Sequence, residues 1–321
     1  MESTSNTEIV GAPAVEGAQG AGVPLAAPAR RRRALDVMRD YLALTKPRII
    51  VLLLITTVAT MFVADPSGPG LATILWTLVG GYLAAGGAGA INHFVDRDRD
   101  ARMARTCDRP LVTGRINPTH GLAFGVALAV GSIAVLASTV NLAAAALALA
   151  GLLGYVFVYT LWLKPLTPQN IVIGGAAGAV PPLVGWAAAT GGLAWDAVYP
   201  FAIVFLWTPP HFWALALLVK DDYERTGVPM LPVARGDATT RRQILVYSFA
   251  LVAFTILPYL TGLFGWPYLA AALALGAGFV GLAADLTLRP TRSAAVRLHL
   301  ASLAYLALLF AAMAADRILL G

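Results

Sequence analysis

Nine apolar stretches near 20 residues long recur along this chain of 321 residues, at about 49–64, 71–92, 119–139, 141–163, 170–189, 197–219, 243–264, 266–286 and 298–316. A helix of about 20 apolar residues crosses a hydrocarbon core of about 30 Å. Lipid offers the backbone no hydrogen-bond partners, so each stretch is expected to be helical. A mean hydropathy of +0.73 and a charged fraction of 12% exclude a pair of soluble domains, because soluble domains carry roughly twice that charge. Runs of small residues such as GGYLAAGGAGA (80–90) let membrane helices approach closely. The expected fold class is an all-α integral membrane protein, with nine transmembrane helices around a central cavity.

The net charge of +6 raises the question of nucleic acid, and its distribution argues against it. Every Lys and Arg except Arg317 falls either in the N-terminal segment or in alternate connections, at 93–118, at Lys164, at 220–242 and at 289–297. The connections between these carry none. That is the positive-inside bias, and it supports nine spans with a cytoplasmic N-terminus and the C-terminus outside. Residues 1–29 are rich in Gly, Ala and Pro and lack the basic start and apolar core of a signal peptide. The acidic Glu2, Glu8 and Glu16 argue against a mitochondrial transit peptide. Residues 1–40 are read as a disordered cytoplasmic tail and 41–321 as the membrane domain. The single cysteine, Cys107, leaves no partner for an intrachain disulfide.

The chemistry-bearing residues collect in two long connections on the basic side, about 93–118 and 220–242. The first opens with NHFVDRDRD (92–100). On a helix Asn92, Asp96 and Asp100 fall within an arc of roughly 80°. Carboxylates one turn apart raise one another's pKa unless a cation lies between them. Nearby arginines could supply it. Mg²⁺, usually held by one or two carboxylates plus phosphate oxygens, fits as well. Asp98 points about 200° away from Asp96, with Arg102 at i+4 as the expected partner. Arg99 lies near the stripe. Arg102, Arg105, Arg109 and Arg115 would surround an anionic ligand.

The second group lies on VFLWTPPHFWALALLVKDDY (204–223). Pro209 and Pro210 should free backbone carbonyls and kink the helix. His211 and Asp222 differ by 11 residues, about three turns, which would put His211 about 16 Å deeper on the same side of a regular helix. An ionisable residue at that depth is a functional candidate, though a neutral histidine bonded to a freed carbonyl is the plain alternative. Asp221 and Asp222 diverge by about 100°, so only one should reach a shared site, with Asp222 favoured. Lys46 and Arg48 (LTKPRII) and Lys164 (WLKPLTPQN) sit at helix ends on the basic side, as anion binders or as plain interfacial anchors.

These residues resemble a known family. NHFVDRDRDARMARTCDRPLVTGRI is similar to the Asn/Asp-rich first motif of the UbiA superfamily of intramembrane prenyltransferases. LTKPRIIVLLLITT, YTLWLKPLTPQNIVIGGAAGA, WTPPHFWALAL and DDYERTGVPMLPV resemble the haem-farnesylating branch (haem O synthases), from about residue 42 to the C-terminus. The resemblance implies a nine-helix fold opening to the cytoplasmic side. It also implies transfer of farnesyl from farnesyl diphosphate to the vinyl group of haem b (protohaem IX), giving haem O. By position, Asn92, Asp96 and Asp100 match the first metal–diphosphate motif, and Asp222 would complete the Mg²⁺ ligands. Lys46, Arg48, Arg99, Arg105, Arg109, Lys164 and Asp221 would border the diphosphate, and His211 would ligate or orient the haem. Many relatives carry a second motif, Asp-x3-Asp. This chain has Val219 and Tyr223 at those places, with Asp221 and Asp222 offset, which leaves open which of them reaches the metal.

The implied location is a bacterial plasma membrane, or alternatively a mitochondrial inner membrane. A downstream haem-modifying enzyme or terminal oxidase is the partner the product suggests. Two other readings compete. A prenyltransferase for an aromatic quinone precursor would share the fold, but WTPPHFW and the missing Asp-x3-Asp argue against it. A cation transporter should place carboxylates near the bilayer midplane on broken helices, whereas here they sit at the membrane faces.

Overall fold

The computed structural model describes residues 33–320; the expected tail over 1–32 lies outside the described residues. Among the described residues all regular structure is helical. A short amphipathic helix, α1 (Ala34–Thr45), precedes the spans, so residues 34–40 are part of the helical body. Nine helices among the described residues are long and apolar enough to cross a membrane. These are α2 (Pro47–Ala64), α3 (Leu71–Asp100), α4 (Pro118–Thr139), α5 (Leu142–Leu166), α6 (Asn170–Thr190), α7 (Trp195–Leu218), α9 (Leu231–Leu260), α10 (Trp266–Leu288) and α11 (Arg292–Leu320). Between α7 and α9 lies the short α8 (Lys220–Arg225).

The helices form a closed ring of neighbours. Helix α3 packs on α4, α4 on α5, α5 on α6 and α6 on α2; α7 packs on α9, α9 on α10 and α10 on α11, which returns to both α7 and α2. The two connections expected to be long are partly helical. Helix α3 continues through Asp100 as a helix of 30 residues, about 45 Å long. It outruns a hydrocarbon core of about 30 Å, and its last turns carry the acidic stripe beyond the apolar layer. The second connection contains α8 and the start of α9, which bends at Gly236 (φ 78°).

Close approach of backbones sets the ring. A Cβ on Gly185 of α6 would lie 2.1 Å from the carbonyl oxygen of Thr57 on α2, so only glycine allows this contact. The far end of the ring is tied by Asp316 of α11. Its carboxylate, 3% exposed, accepts from the backbone N–H groups of Gly265 (2.7 Å) and Tyr268 (3.0 Å), satisfying donors at the start of α10 that the helix leaves open.

Gly185→Ala should therefore destabilise the purified protein in detergent by about 1–3 kcal/mol, the usual cost of overpacking. Gly278→Ala on α10, where a Cβ meets nothing within 4 Å, should leave thermal unfolding unchanged. Equal melting of the two variants would refute the packing argument.

Candidate active site

The acidic stripe leaves the apolar layer on α3 but stays out of water. Asn92, Asp96 and Asp100 are 4%, 2% and 4% exposed. Buried carboxylates without partners cost several kcal/mol each, and three elements supply the partners here. Lys46, between α1 and α2, donates from Nζ to Asn92 Oδ1 at 2.6 Å. Lys164, near the end of α5, donates to Asp96 Oδ2 at 2.5 Å. Arg109, in the connection after α3, donates from Nη1 to Asp100 Oδ2 at 2.5 Å. Within α3, Asn92 Nδ2 donates to Asp96 Oδ2 (2.8 Å) and Arg99 Nη1 to Asp96 Oδ1 (3.3 Å).

Local backbone features aim these cations. Lys46 adopts left-handed φ/ψ (57°, 54°), rare for a residue with a Cβ. That turn closes α1 and starts α2 within one residue, and Gly89 of α3 makes room for it. A Cβ there would stand 3.1 Å from the carbonyl oxygen of Leu44. Burial first, then repulsion from Arg109 and Lys164, lowers the Lys46 pKa to about 7, against the pull of Asp96 and Asp100. On α5, residues Gly154–Leu163 wind as a π-helix, a rare form that is frequent at functional sites. Thr160 Oγ1 donates to the Tyr155 carbonyl five residues back (2.8 Å) and accepts from Asn92 Nδ2 (3.2 Å). Lys164 follows this wider turn directly.

The two polar connections meet through Asp222 on α8. Its oxygens accept from the backbone N–H of Ala104 (3.0 Å) and of Arg105 (3.4 Å), and it pairs with Arg225. Burial alone would raise its pKa. The Ala104 N–H, the Arg225 guanidinium and the Arg105 N–H outweigh it and hold Asp222 below the usual carboxylate value.

Next to the stripe lies a cavity of about 230 Å³ between α2, α3, α5 and α6. Its walls are apolar or small, with Ile50, Leu53 and Leu54 from α2, Ala84 and Ala88 from α3, Leu152 from α5 and Val184 from α6. Thr45, Lys46, Thr57 and Tyr155 are its polar exceptions. Lys46 lines the cavity and also bonds Asn92, so a ligand with an apolar tail and an anionic head fits both parts. Among the described residues no group of three His, Cys, Asp or Glu side chains forms a ready metal cage. Two buried carboxylates beside an amide oxygen instead suit a hard cation whose remaining ligands are phosphate oxygens and water, which is the Mg²⁺ pattern.

The structure brings together Asn92, Asp96, Asp100, Lys46, Arg99, Arg109 and Lys164. The structure places the other candidates differently. Arg48 is exposed, because it lies two residues past Lys46 on α2 and turns to the other side. Arg105 also exposes its side chain and joins the site through its backbone N–H. Asp221 is exposed while Asp222 is buried, with both its oxygens engaged by the loop after α3 and by Arg225. Asp98 pairs with Arg97 at 3.4 Å, not Arg102, because α3 ends at Asp100. The helix carrying His211 breaks at Val219 (φ −121°, ψ 27°), so the three-turn alignment with Asp222 does not hold. His211 instead contacts α11. Tyr155 and Thr160 were not singled out in the sequence, since nothing in GYVFVYTLWL signals a π-helix.

The chain matches known proteins in sequence and in fold. Residues 53–313 match the model of the UbiA prenyltransferase family. A protoheme IX farnesyltransferase of Roseiflexus sp. is 52% identical over 283 residues, covering 88% of this chain and 53% of that protein; the chain thus spans about half the length of this relative. One from Gloeobacter violaceus is 52% identical over 284 residues, covering 88% of this chain and 93% of that protein. Among solved structures, that of a digeranylgeranylglyceryl phosphate synthase superposes with a TM-score of 0.73 at 18% identity, covering 89% of this chain and 100% of that one. A UbiA homolog from Archaeoglobus fulgidus bound to DMAPP and Mg²⁺ gives 0.60 at 17% identity, covering 85% and 99%. At such identities these two speak for the fold alone. The span of the family match, the two relatives and the shared ring of helices together establish that this multi-pass membrane protein belongs to the UbiA prenyltransferase family.

Proposed function

We propose that this protein transfers farnesyl from farnesyl diphosphate to a vinyl group of haem b, with addition of water, giving haem O and diphosphate. The observation that carries the reading is the buried stripe of Asn92, Asp96 and Asp100, ringed by Lys46, Lys164 and Arg109, at the polar end of an apolar cavity. The named activity of the Roseiflexus and Gloeobacter relatives supports the choice of substrates. The active site would face the cytoplasm of a bacterial cell, its membrane being the plasma membrane, and a haem-modifying enzyme or terminal oxidase would take the product.

Asn92, Asp96 and Asp100 would hold Mg²⁺, as the A. fulgidus homolog's bound ion suggests; the ion would compensate diphosphate charge. Lys46, Lys164 and Arg109 neutralise the remaining oxygens, so that the C1–O bond of the allylic substrate can break. The cavity walls hold the isoprenoid and keep water from the allylic cation. The vinyl carbon of haem b then bonds to C1, and water adds to the cation left beside the porphyrin and releases a proton. Asp222 shapes the loop that carries Arg109, and His211 ligates or orients the haem.

Membranes holding the protein should convert haem b, farnesyl diphosphate and Mg²⁺ into diphosphate and a heavier, more apolar haem. Diphosphate release without a changed haem would reject haem b as acceptor. Lys164→Met should lower turnover at least 100-fold and destabilise the fold by about 3–5 kcal/mol, because Asp96 loses its buried counter-ion. The double variant Asp96→Asn with Lys164→Met should regain stability but not activity. A double variant that regains both would make the pair structural only. Asp222→Ala should lower activity at least tenfold and speed tryptic cleavage at the exposed Arg102 and Arg105, while Asp221→Ala should do neither.

A further inference from the structure

Helices α7 and α11 share a polar cluster, buried at Trp207 and Ser302 and half-buried at His211 and His299, that the carboxylate site does not use. Trp207 and His211 sit one turn apart on α7, with ring centroids 4.2 Å apart and planes at 16°. His299 of α11 stacks on the other side of the pair, 4.5 Å from His211 at 24°. Ser302, fully buried, ties the cluster together. Its carbonyl accepts from Trp207 Nε1–H at 2.8 Å, its Oγ lies 2.6 Å from His211 Nδ1, and the same Oγ lies 2.6 Å from the His299 carbonyl oxygen. His299 Nδ1 lies 3.2 Å from the His211 carbonyl oxygen, so that nitrogen carries a proton and donates.

A hydroxyl has one proton and two lone pairs. The His299 carbonyl can only accept, so the Ser302 proton points there. The lone pair left on Oγ faces His211 Nδ1, which must then be the protonated nitrogen. We infer that Ser302 is a positioning residue that holds His211 in its Nδ1–H tautomer and leaves Nε2 with a free lone pair. The hydrogen bond of the His211 ring to Ser302 is made at Nδ1. A neutral imidazole with a free Nε2 is the form that ligates iron, and the hydrogen bond at the far nitrogen fixes which nitrogen is free. It also turns the ring and raises its basicity. Stacking between Trp207 and His299 holds the ring plane. The ligand this arrangement takes is the iron of a tetrapyrrole, and the inference rests on the haem-acceptor reading above.

The test is ferric haem b binding to purified full-length protein, read by the Soret band, together with KM for each substrate. Replacing an outer partner of a metal-bound histidine costs roughly 10–100-fold in affinity. S302A should weaken haem binding by about that factor, shift the Soret band towards that of His211→Ala, and leave KM for farnesyl diphosphate unchanged. S302T and S302V have the same shape and differ in the hydroxyl alone. S302T should keep the wild-type band and S302V should lose it, which separates the hydrogen bond from packing even if S302A folds poorly. S302V with the wild-type band and haem affinity overturns the inference while leaving the haem reading intact. Absence of any haem-induced band in the wild type overturns both.

Discussion

The cost of keeping carboxylates out of water governs this structure. Asp96 and Asp100 lie on one stripe of α3, almost wholly buried, and no single neighbouring helix could neutralise both. The cations come from the α1–α2 junction, from the end of α5 and from the connection after α3. Each needs a backbone departure to arrive: a left-handed residue at Lys46, a π-wound segment before Lys164, and a non-helical connection around Arg109. Buried ion pairs contribute little net stability, but removing one partner is costly. The stripe therefore acts as a keystone for these elements without being a large source of folding energy.

The same economy explains why the two polar connections, more than 100 residues apart in sequence, are joined. The loop after α3 runs without regular structure from Ala101 to Asn117, so its backbone donors need partners. Asp222 accepts from two of them. Those donors and Arg225 hold its pKa below the usual carboxylate value, and a charged acceptor makes the stronger hydrogen bond. This contact couples the first half of the helix ring to the second and fixes the loop that carries Arg109.

An anionic stripe with cationic partners, set at the end of an apolar cavity, separates two tasks. The polar end carries the charged groups. The walls, built from small residues of α3 and branched residues of α2, are apolar. The α7–α11 cluster is a third element, in which Trp207 and His299 stack on His211 and Ser302 lies within hydrogen-bond distance of its Nδ1.

Much of this was legible in the sequence because hydrophobic length and helical spacing are local properties. Nine spans, the basic connections and the Asn92–Asp96–Asp100 stripe follow from residue order and a fixed rotation per residue. The sequence by itself thus determined the class of fold and the helix face that bears the acidic stripe. Other features depend on contacts between distant elements and were settled by packing. Asp222 turns inward and Asp221 outward because α7 breaks at Val219. Asp98 finds Arg97 because α3 ends two residues later. Thr160 reaches Asn92 because α5 winds more widely than an α-helix. His211 meets Ser302 and His299, rather than the carboxylates, because α11 returns across the ring to α7. A rotation rule predicts which residues share a face; which partner that face meets was decided only by the tertiary structure, where backbone breaks and long-range packing set the final direction of each side chain.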